Sequence, residues 1–244
     1  MLILRHSVWK SLKMSHFNFW SLAIFTRKVT YLYLVTLLSL QNVNEARFAR
    51  NVEWDFFTIF KHRVQALIND LSEEKPTLVG PLQNLTSKWK EIYAEVTNYG
   101  NPSFLIHGDL WANNMMFSTK NQVLVFDWPF LGQDHPIIDV AHFIFVGLDP
   151  PNVEEWADKL LLIYCAEFTR KCKLYGIWSD LESQSLIQEL KSWFWNKGLM
   201  VTIMMWIAGY KSVMYAKPEL RTRFIHLLEK SYQNSPEYFT ISSE

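Results

Sequence analysis

Three short apolar runs, each next to polar residues that could carry chemistry, constrain this fold more than any other feature of the sequence. The first run leads into His107, Gly108 and Asp109, Asn114 precedes the second, and Asp127 follows the third. The runs have the length and composition of short strands, and they cover residues 104–106, 115–117 and 123–126. Since reactive groups are often presented on loops that a rigid scaffold positions, we expect both carboxylates and the amide at one end of a small sheet. The polar residues 118–121 predict a hairpin turn between the second and third strands.

Carboxylate and amide oxygens in this order favour phosphoryl transfer. They are hard ligands that suit Mg²⁺, which keeps several waters and completes its coordination with phosphate oxygens. Phosphoryl transfer needs little covalent chemistry from the protein, because a carboxylate accepts a hydroxyl proton and the metal ion neutralises phosphate charge. Each residue taken singly is more often a turn, cap or core residue. The ordered combination is therefore what indicates a catalytic and metal-binding site.

Charge balance and cysteine content exclude several other classes of protein. The chain has 244 residues with 24 basic and 24 acidic side chains, and this zero net charge argues against a nucleic-acid partner. Hydrophobic residues make up 49% of the chain, which is enough for a substantial core. Cys165 and Cys172 share a predicted helix at a separation of about 10 Å, which is too far for a disulfide. A disulfide scaffold and a cysteine-rich zinc site are excluded.

Helical periodicity dominates the rest of the chain, which predicts a mostly helical α+β fold. Apolar residues recur at intervals of three and four over residues 52–71 and 82–96, and a short apolar segment covers residues 139–147. Asn152, with Glu155 three positions later, predicts a helix that begins at Val153.

Two further helix starts lie towards the C-terminus. Ser179 and Glu182 form the same capping pattern for a long helical segment through residue 210. Pro218 suits the first turn of a last helix that ends near residue 232.

A resemblance to a known family is carried by three segments between residues 104 and 145: HGDLWANNMMF, VLVFDW and HPIIDVAHF. They resemble the ecdysteroid kinase-like family, also called CHK kinase-like, whose relatives include choline kinases and aminoglycoside phosphotransferases. The resemblance implies a protein-kinase-like C-terminal lobe over residues 51–240, with a small β-hairpin sheet at the catalytic loop. It also implies a cytoplasmic enzyme that uses ATP and Mg²⁺ to phosphorylate a hydroxyl group of a small-molecule alcohol, such as an ecdysteroid.

The resemblance also implies a role for each residue of the pattern. Asp109 would be the catalytic base, with His107 bracing its loop and Gly108 supporting the loop's shape. Asn114 and Asp127 would bind Mg²⁺.

Asp139 would hold the catalytic loop by hydrogen bonds, and it would also cap its own helix. A purely structural role for Asp139 as a helix N-cap is an equally good interpretation, and the two roles are compatible.

Two features depart from the family's pattern. Asp127 is followed by Trp128 and Pro129, and the proline removes a hydrogen-bond donor from the metal loop. Upstream, a kinase of this kind needs an N-terminal lobe with a phosphate-covering loop and a lysine that pairs with the nucleotide. All eight glycines lie at or after Gly80 and none forms a G-x-G. We therefore expect the N-terminal lobe to be missing or truncated.

The first 44 residues differ from the rest, since the first acidic residue is Glu45. We treat residues 1–50 as an atypical segment that is not part of the core fold, with Met14 as an alternative start. Two alternatives remain open: a mitochondrial presequence, because the segment is basic and poor in acids, and membrane contact by residues 17–40. The apolar runs in that range are each shorter than the roughly 18–20 residues that a bilayer span needs.

Trp193, Trp195 and Trp206 belong to an aromatic-rich helical region that could line a pocket for an apolar alcohol. Core packing is the competing interpretation of these tryptophans. Two other functions compete with a kinase: a catalytically inactive relative with a binding role, and a metal-dependent hydrolase that uses His107 and the aspartates. The usual multi-histidine ligand set of such a hydrolase is missing from the pattern.

Overall fold

Helices form most of the fold, as the sequence predicts. The computed structural model describes residues 53–96, 104–117, 123–128, 132–135, 137–174, 180–209 and 217–240. The α-helices in this part of the chain are α1 (Glu53–Leu71), α2 (Val79–Val96), α3 (Ile137–Gly147), α4 (Pro150–Leu174), α5 (Asp180–Trp193), α6 (Leu199–Ala208) and α7 (Pro218–Asn234). Short 3₁₀ turns occur at Pro76–Leu78, Ala112–Asn114 and Pro236–Phe239.

Two small antiparallel sheets carry the segment with the predicted site. Strand β2 (Met115–Phe117) pairs with β3 (Val123–Val125), and strand β1 (Phe104–Ile106) pairs with β4 (Gly132–Asp134). The three predicted strands and the hairpin pairing are confirmed. The expectation that all three share one sheet is wrong, because β1 takes β4 as its partner. The sequence did not predict β4, since its Gly-Gln-Asp composition has no β-branched or aromatic residue.

Two mostly apolar helices form the interior, and the polar exceptions in α3 are Asp139 and His142. Every residue of α3 is buried, and so are seven of the ten residues of α6. A helix that is hydrophobic around most of its circumference has to be surrounded by other elements. Helix α6 accordingly packs against α1, α3 and α7, while the amphipathic α2 packs on α1.

A π-helical turn, Phe194–Gly198, joins α5 to α6 and brings the chain close to α3. A Cβ atom at Gly198 would lie 2.8 Å from the Cβ atom of Ala141. Only glycine therefore allows α3 and the π turn to approach this closely. The sequence predicts a continuous helical segment here, and the π turn was not foreseen.

Arg223 of α7 holds the C-terminal end of α3. Its side chain is buried and donates hydrogen bonds to the carbonyl oxygen of Val146 and to the carboxylate of Asp149. The last carbonyl groups of a helix have no partner within the helix. Arg223 therefore satisfies this end of α3 and fixes its position against α7.

The predicted start of α4 is wrong. The helix begins at Pro150, so Asn152 lies inside its first turn and is not its cap. The carbonyl oxygen of Asp149 accepts the N–H groups of Asn152 and Val153, at 2.8 and 3.0 Å. The two consecutive prolines suit this turn because they have no N–H group that needs a partner. The predicted start of α7 at Pro218 is confirmed.

Several predictions concern residues outside the described part of the chain. These are the hairpin turn at 118–121, the cap at Ser179, the metal-loop proline Pro129 and the segment 1–50. The domain boundary near residue 50 therefore stays a prediction. Among the helices of the described ranges, none combines the length and the apolar character needed to cross a bilayer.

We expect Gly198→Ala to lower the free energy of unfolding. Alanine favours a helix over glycine by about 1 kcal/mol. Overpacking against Ala141 costs about 1–3 kcal/mol, because both Cβ atoms belong to rigid helical backbone. Urea denaturation measures the difference.

Gly147→Ala is the matched control, since Gly147 is also a buried helical glycine but a Cβ atom there meets nothing within 4 Å. It should be neutral or slightly stabilising. Equal effects of the two substitutions would contradict the close contact between α3 and the π turn.

Candidate active site

Helix α3 holds the loop after β1 through one buried carboxylate. Asp139 is fully buried, and its side chain accepts hydrogen bonds from the backbone N–H groups of His107 and Gly108, at 2.6 and 2.9 Å. A buried charge is stable only when it is paired or hydrogen-bonded, and these two donors meet that need. Asp139 lies in the first turn of α3, which begins at Ile137, so it does not occupy the N-cap position that the sequence analysis considered.

His107 connects the loop to the end of β3. Its ring is buried, its Nδ1 accepts the N–H of Asp109 at 3.3 Å, and its Nε2 lies 3.0 Å from the carbonyl oxygen of Phe126. Because a backbone N–H can only donate, Nδ1 must be the acceptor and Nε2 must carry the proton. The ring of Trp128 packs on His107 with 4.4 Å between ring centroids. His107 is therefore placed to brace the loop and cannot act as a free base.

Gly108 turns the chain between His107 and Asp109. Its φ of 81° lies in the left-handed region, which costs residues with a Cβ atom roughly 1–2 kcal/mol. Glycine at this position lets Asp139 bind two successive N–H groups while the side chain of Asp109 leaves the loop towards the surface.

Asp109 is the accessible carboxylate of the loop. Its side chain is 29% exposed, Asn114 Nδ2 donates to its Oδ2 at 3.1 Å, and His142 Nε2 lies 3.4 Å from its Oδ1. Burial raises the pKa of Asp109, but the hydrogen bond and charge of His142 together with the hydrogen bond from Asn114 outweigh it, so its pKa lies below the usual value. The group is thus a carboxylate near neutral pH, which is the form able to accept a proton.

Asn114 is oriented by the same loop. It is buried, and its Nδ2 also donates to the backbone oxygen of Asp109 at 2.8 Å. Within the described residues, both hydrogen bonds of its side chain use Nδ2, so the amide oxygen is the atom that could bind a cation. Its backbone oxygen accepts the N–H of Phe126 at 3.0 Å, so Asn114 lies beside the residue that precedes Asp127.

Asp127 follows β3 in a left-handed conformation, with a φ of 63°, and its side chain is exposed. Aspartate tolerates this region better than most residues. The sharp turn places its carboxylate at the end of the hairpin that also carries Asn114.

The donor set of these two residues fits Mg²⁺, since one carboxylate and one amide oxygen leave positions for water and phosphate oxygens. The described residues contain no group of three or more His, Cys, Asp or Glu side chains that could hold a metal ion by themselves. At a site made of Asn114 and Asp127, water or phosphate oxygens would fill the remaining positions.

The three tryptophans of the predicted pocket each pack against another ring of the protein. Trp193 packs edge-on against His135, Trp195 packs on Phe145, and Trp206 stacks on Phe224. All three are half-buried against the core. Their role in a substrate pocket stays a prediction.

His142 is the site residue that sequence reasoning did not identify, although it lies within the quoted segment HPIIDVAHF. The available signal was its position three residues after Asp139 in an otherwise apolar helix, which puts both side chains on one face of α3. Trp128 was likewise noted only as a departure from the family's pattern, whereas its ring covers His107.

The sequence profile of the ecdysteroid kinase-like family matches residues 34–177, which is more than half of the chain. The chain belongs to this family. The match begins inside the segment that the sequence analysis separates from the core fold.

Among solved structures, the chain is similar to a choline kinase from Cryptosporidium parvum, with a TM-score of 0.58 and 10% sequence identity over 92% of this chain and 68% of that one. This likeness shows that the fold is kinase-like. The comparison with curated proteins found no match.

His135, two residues before α3, should make the free energy of unfolding depend on pH. His135 is buried, and its Nδ1 accepts the N–H of Ile137 at 3.2 Å. Burial, with a smaller contribution from the charge of Lys197, lowers the pKa of His135 from 6.5 to about 3.

Between pH 6.5 and about 3, His135 is therefore protonated more often in the unfolded chain than in the folded one. The free energy of unfolding should fall as the pH drops through this range. The slope from one such group is at most about 1.4 kcal/mol per pH unit.

His135→Asn should flatten this dependence, because asparagine keeps an acceptor for Ile137 but does not titrate. Urea denaturation of both proteins at several pH values between 7 and 4 measures the difference. Parallel profiles for the two proteins would show that His135 is not buried in its neutral form.

Proposed function

We propose that this chain catalyses the ATP-dependent phosphorylation of a hydroxyl group on a small apolar alcohol, of which an ecdysteroid is one example. The observation that carries the proposal is the hydrogen bond from Asn114 to Asp109, together with the backbone bond that puts Asn114 beside Phe126, the residue before Asp127. We place the reaction in the cytoplasm, with no nucleic-acid partner.

The accessible Oδ atoms of Asp109 would receive the proton of the acceptor hydroxyl. The hydroxyl oxygen then forms the new bond to the γ-phosphorus, and the bond between that phosphorus and the β,γ-bridging oxygen breaks to release ADP. Asn114 and Asp127 would hold the Mg²⁺ of MgATP, which offsets phosphate charge during transfer. The low pKa of Asp109 keeps the group ionised before the hydroxyl proton arrives.

The hairpin offers an apolar surface for the nucleotide base. Met116 and Leu124 are cross-strand partners on one face of the β2–β3 pair, and their exposed fractions are 50% and 59%. Both residues lie close in sequence to the proposed metal ligands, since Met116 follows Asn114 by two positions and Leu124 precedes Asp127 by three. A planar base that covers this pair would remove apolar surface from water.

The acceptor is expected to be apolar and uncharged. The chain has zero formal net charge, which gives no general attraction for a cationic acceptor. The half-buried Trp193, Trp195 and Trp206 are the proposed aromatic lining, with core packing as the alternative.

A second candidate function is nucleotide or small-molecule binding without transfer. The sequence favours it because it contains no G-x-G motif for a phosphate-covering loop. MgATP turnover separates the two candidates, since a binding protein would bind without releasing ADP.

MgATP should raise the melting temperature of the full chain, because a ligand that binds only the folded state stabilises it by about 2.7 kcal/mol at 100 times its Kd. Asp127→Asn should abolish the shift by removing the exposed metal ligand, and so should EDTA. Differential scanning fluorimetry measures both effects.

Asp70→Asn, the same substitution at an exposed aspartate on α1, should retain the shift. If wild-type protein shows no shift at millimolar MgATP, the proposed nucleotide site is wrong.

Met116→Glu should weaken MgATP binding roughly 10-fold or more, because it places a carboxylate where the base would lie and near the nucleotide phosphates. Leu162→Glu is the control, since Leu162 is a comparably exposed apolar residue on α4 with an exposed fraction of 47%. Titration of fluorescent ATP in the presence of Mg²⁺ gives both Kd values. Unchanged affinity in the Met116 variant would place the base elsewhere.

A further inference from the structure

Helix α3 contains one polar group whose burial no structural need explains. His142 is 4% exposed, and its Nδ1 is buried with no hydrogen-bond partner among the described residues. Buried polar groups in native proteins are almost always satisfied, and exceptions concentrate at functional sites. An apolar side chain of similar size would fit this helix at lower energetic cost.

The other ring nitrogen faces the proposed catalytic base. His142 Nε2 lies 3.4 Å from Asp109 Oδ1, whereas Asn114 donates to the other oxygen, Oδ2. Each carboxylate oxygen thus has its own donor, on a different element. Two donors define the plane of the carboxylate, while a single donor would leave it free to rotate.

His142 can act as a rigid donor because α3 is fixed on several sides. The neighbouring Ala141 lies against Gly198 of the π turn, and Asp139, one turn earlier, is bonded to the backbone of the loop that carries Asp109. The distance between α3 and the loop is therefore set independently of His142. The 3.4 Å separation lies at the long end of hydrogen-bonding range, and catalytic hydrogen bonds commonly shorten when substrates bind.

We propose that His142 is a positioning residue that fixes the orientation of the Asp109 carboxylate through a hydrogen bond from Nε2 to Oδ1. The proposal rests on the function proposed above for Asp109. His142 does not touch the substrate and exchanges no proton in this role. By fixing Oδ1, it keeps the plane of the Asp109 carboxylate in the orientation that suits the acceptor hydroxyl.

The test uses His142→Phe, which keeps an aromatic ring but removes the donor, and His142→Gln, whose side-chain amide can restore it. With the full chain, we would measure MgATP hydrolysis with water as acceptor, and transfer from radiolabelled ATP to steroid and other apolar alcohols. The Phe variant should lose roughly 10- to 100-fold in kcat, since a small misplacement of a catalytic group has effects of this size.

Its KM for MgATP should stay within about twofold of wild type, because the interaction matters for transfer and not for nucleotide binding. Its melting temperature should change little, because the lost interaction with the Asp109 carboxylate and the removal of the unsatisfied Nδ1 offset each other. The Gln variant should recover part of kcat. If the His142→Phe protein does not fold, His142→Leu removes the donor with a smaller side chain. The control is His62→Phe at an exposed position of α1, which should leave kcat unchanged.

Two results overturn the positioning role while leaving the proposed function intact: wild-type kcat in the Phe and Leu variants, or a loss of kcat that follows a loss of thermal stability and is not rescued by Gln. A wild-type chain that neither hydrolyses MgATP nor transfers its phosphate would overturn the proposed function, and the role of His142 would fall with it.

Discussion

The buried carboxylate of Asp139 is the interaction on which the geometry of the site depends. It belongs to α3, which is enclosed by apolar packing, by the close contact with Gly198 and by Arg223 at its C-terminal end. A charge in such surroundings is stable only with strong donors nearby. The N–H groups of His107 and Gly108 supply them, so the position of the loop after β1 follows from the need of the buried Asp139 carboxylate for hydrogen-bond donors.

From this anchor, hydrogen bonds connect the loop to the hairpin. His107 joins the loop to the carbonyl of Phe126, and the N–H of Phe126 returns to the backbone oxygen of Asn114. Asn114 then donates to Asp109. Networks of this kind are rigid when their members are satisfied. The proposed proton acceptor Asp109 and the proposed metal ligand Asn114 are therefore held without a ligand, which would lower the reorganisation that the proposed reaction requires.

Local sequence patterns predicted helices and strands well where the spacing of apolar residues matches the residues that are buried. Helices α1 and α2 begin within three residues of their predicted starts, and strands β1 and β2 have their predicted bounds. Predictions failed where the decisive partner is distant in the chain. Strand β4, for example, forms because β1 needs hydrogen-bond partners. The failed cap at Asn152 has a local cause instead, since the two prolines before it already fit the first turn of α4.

The sequence by itself determined the family and the mostly helical fold, and it predicted the grouping of Asp109, Asn114 and Asp127, because these depend on residue type and short spacing. Only the tertiary structure decided how the groups are held. His142 reaches Asp109 across 33 positions of sequence, and the π turn approaches α3 from more than 50 positions away. Such contacts form between segments that are far apart in the sequence. Periodicity and motif spacing describe only neighbouring residues, so they do not predict which distant segments pack together.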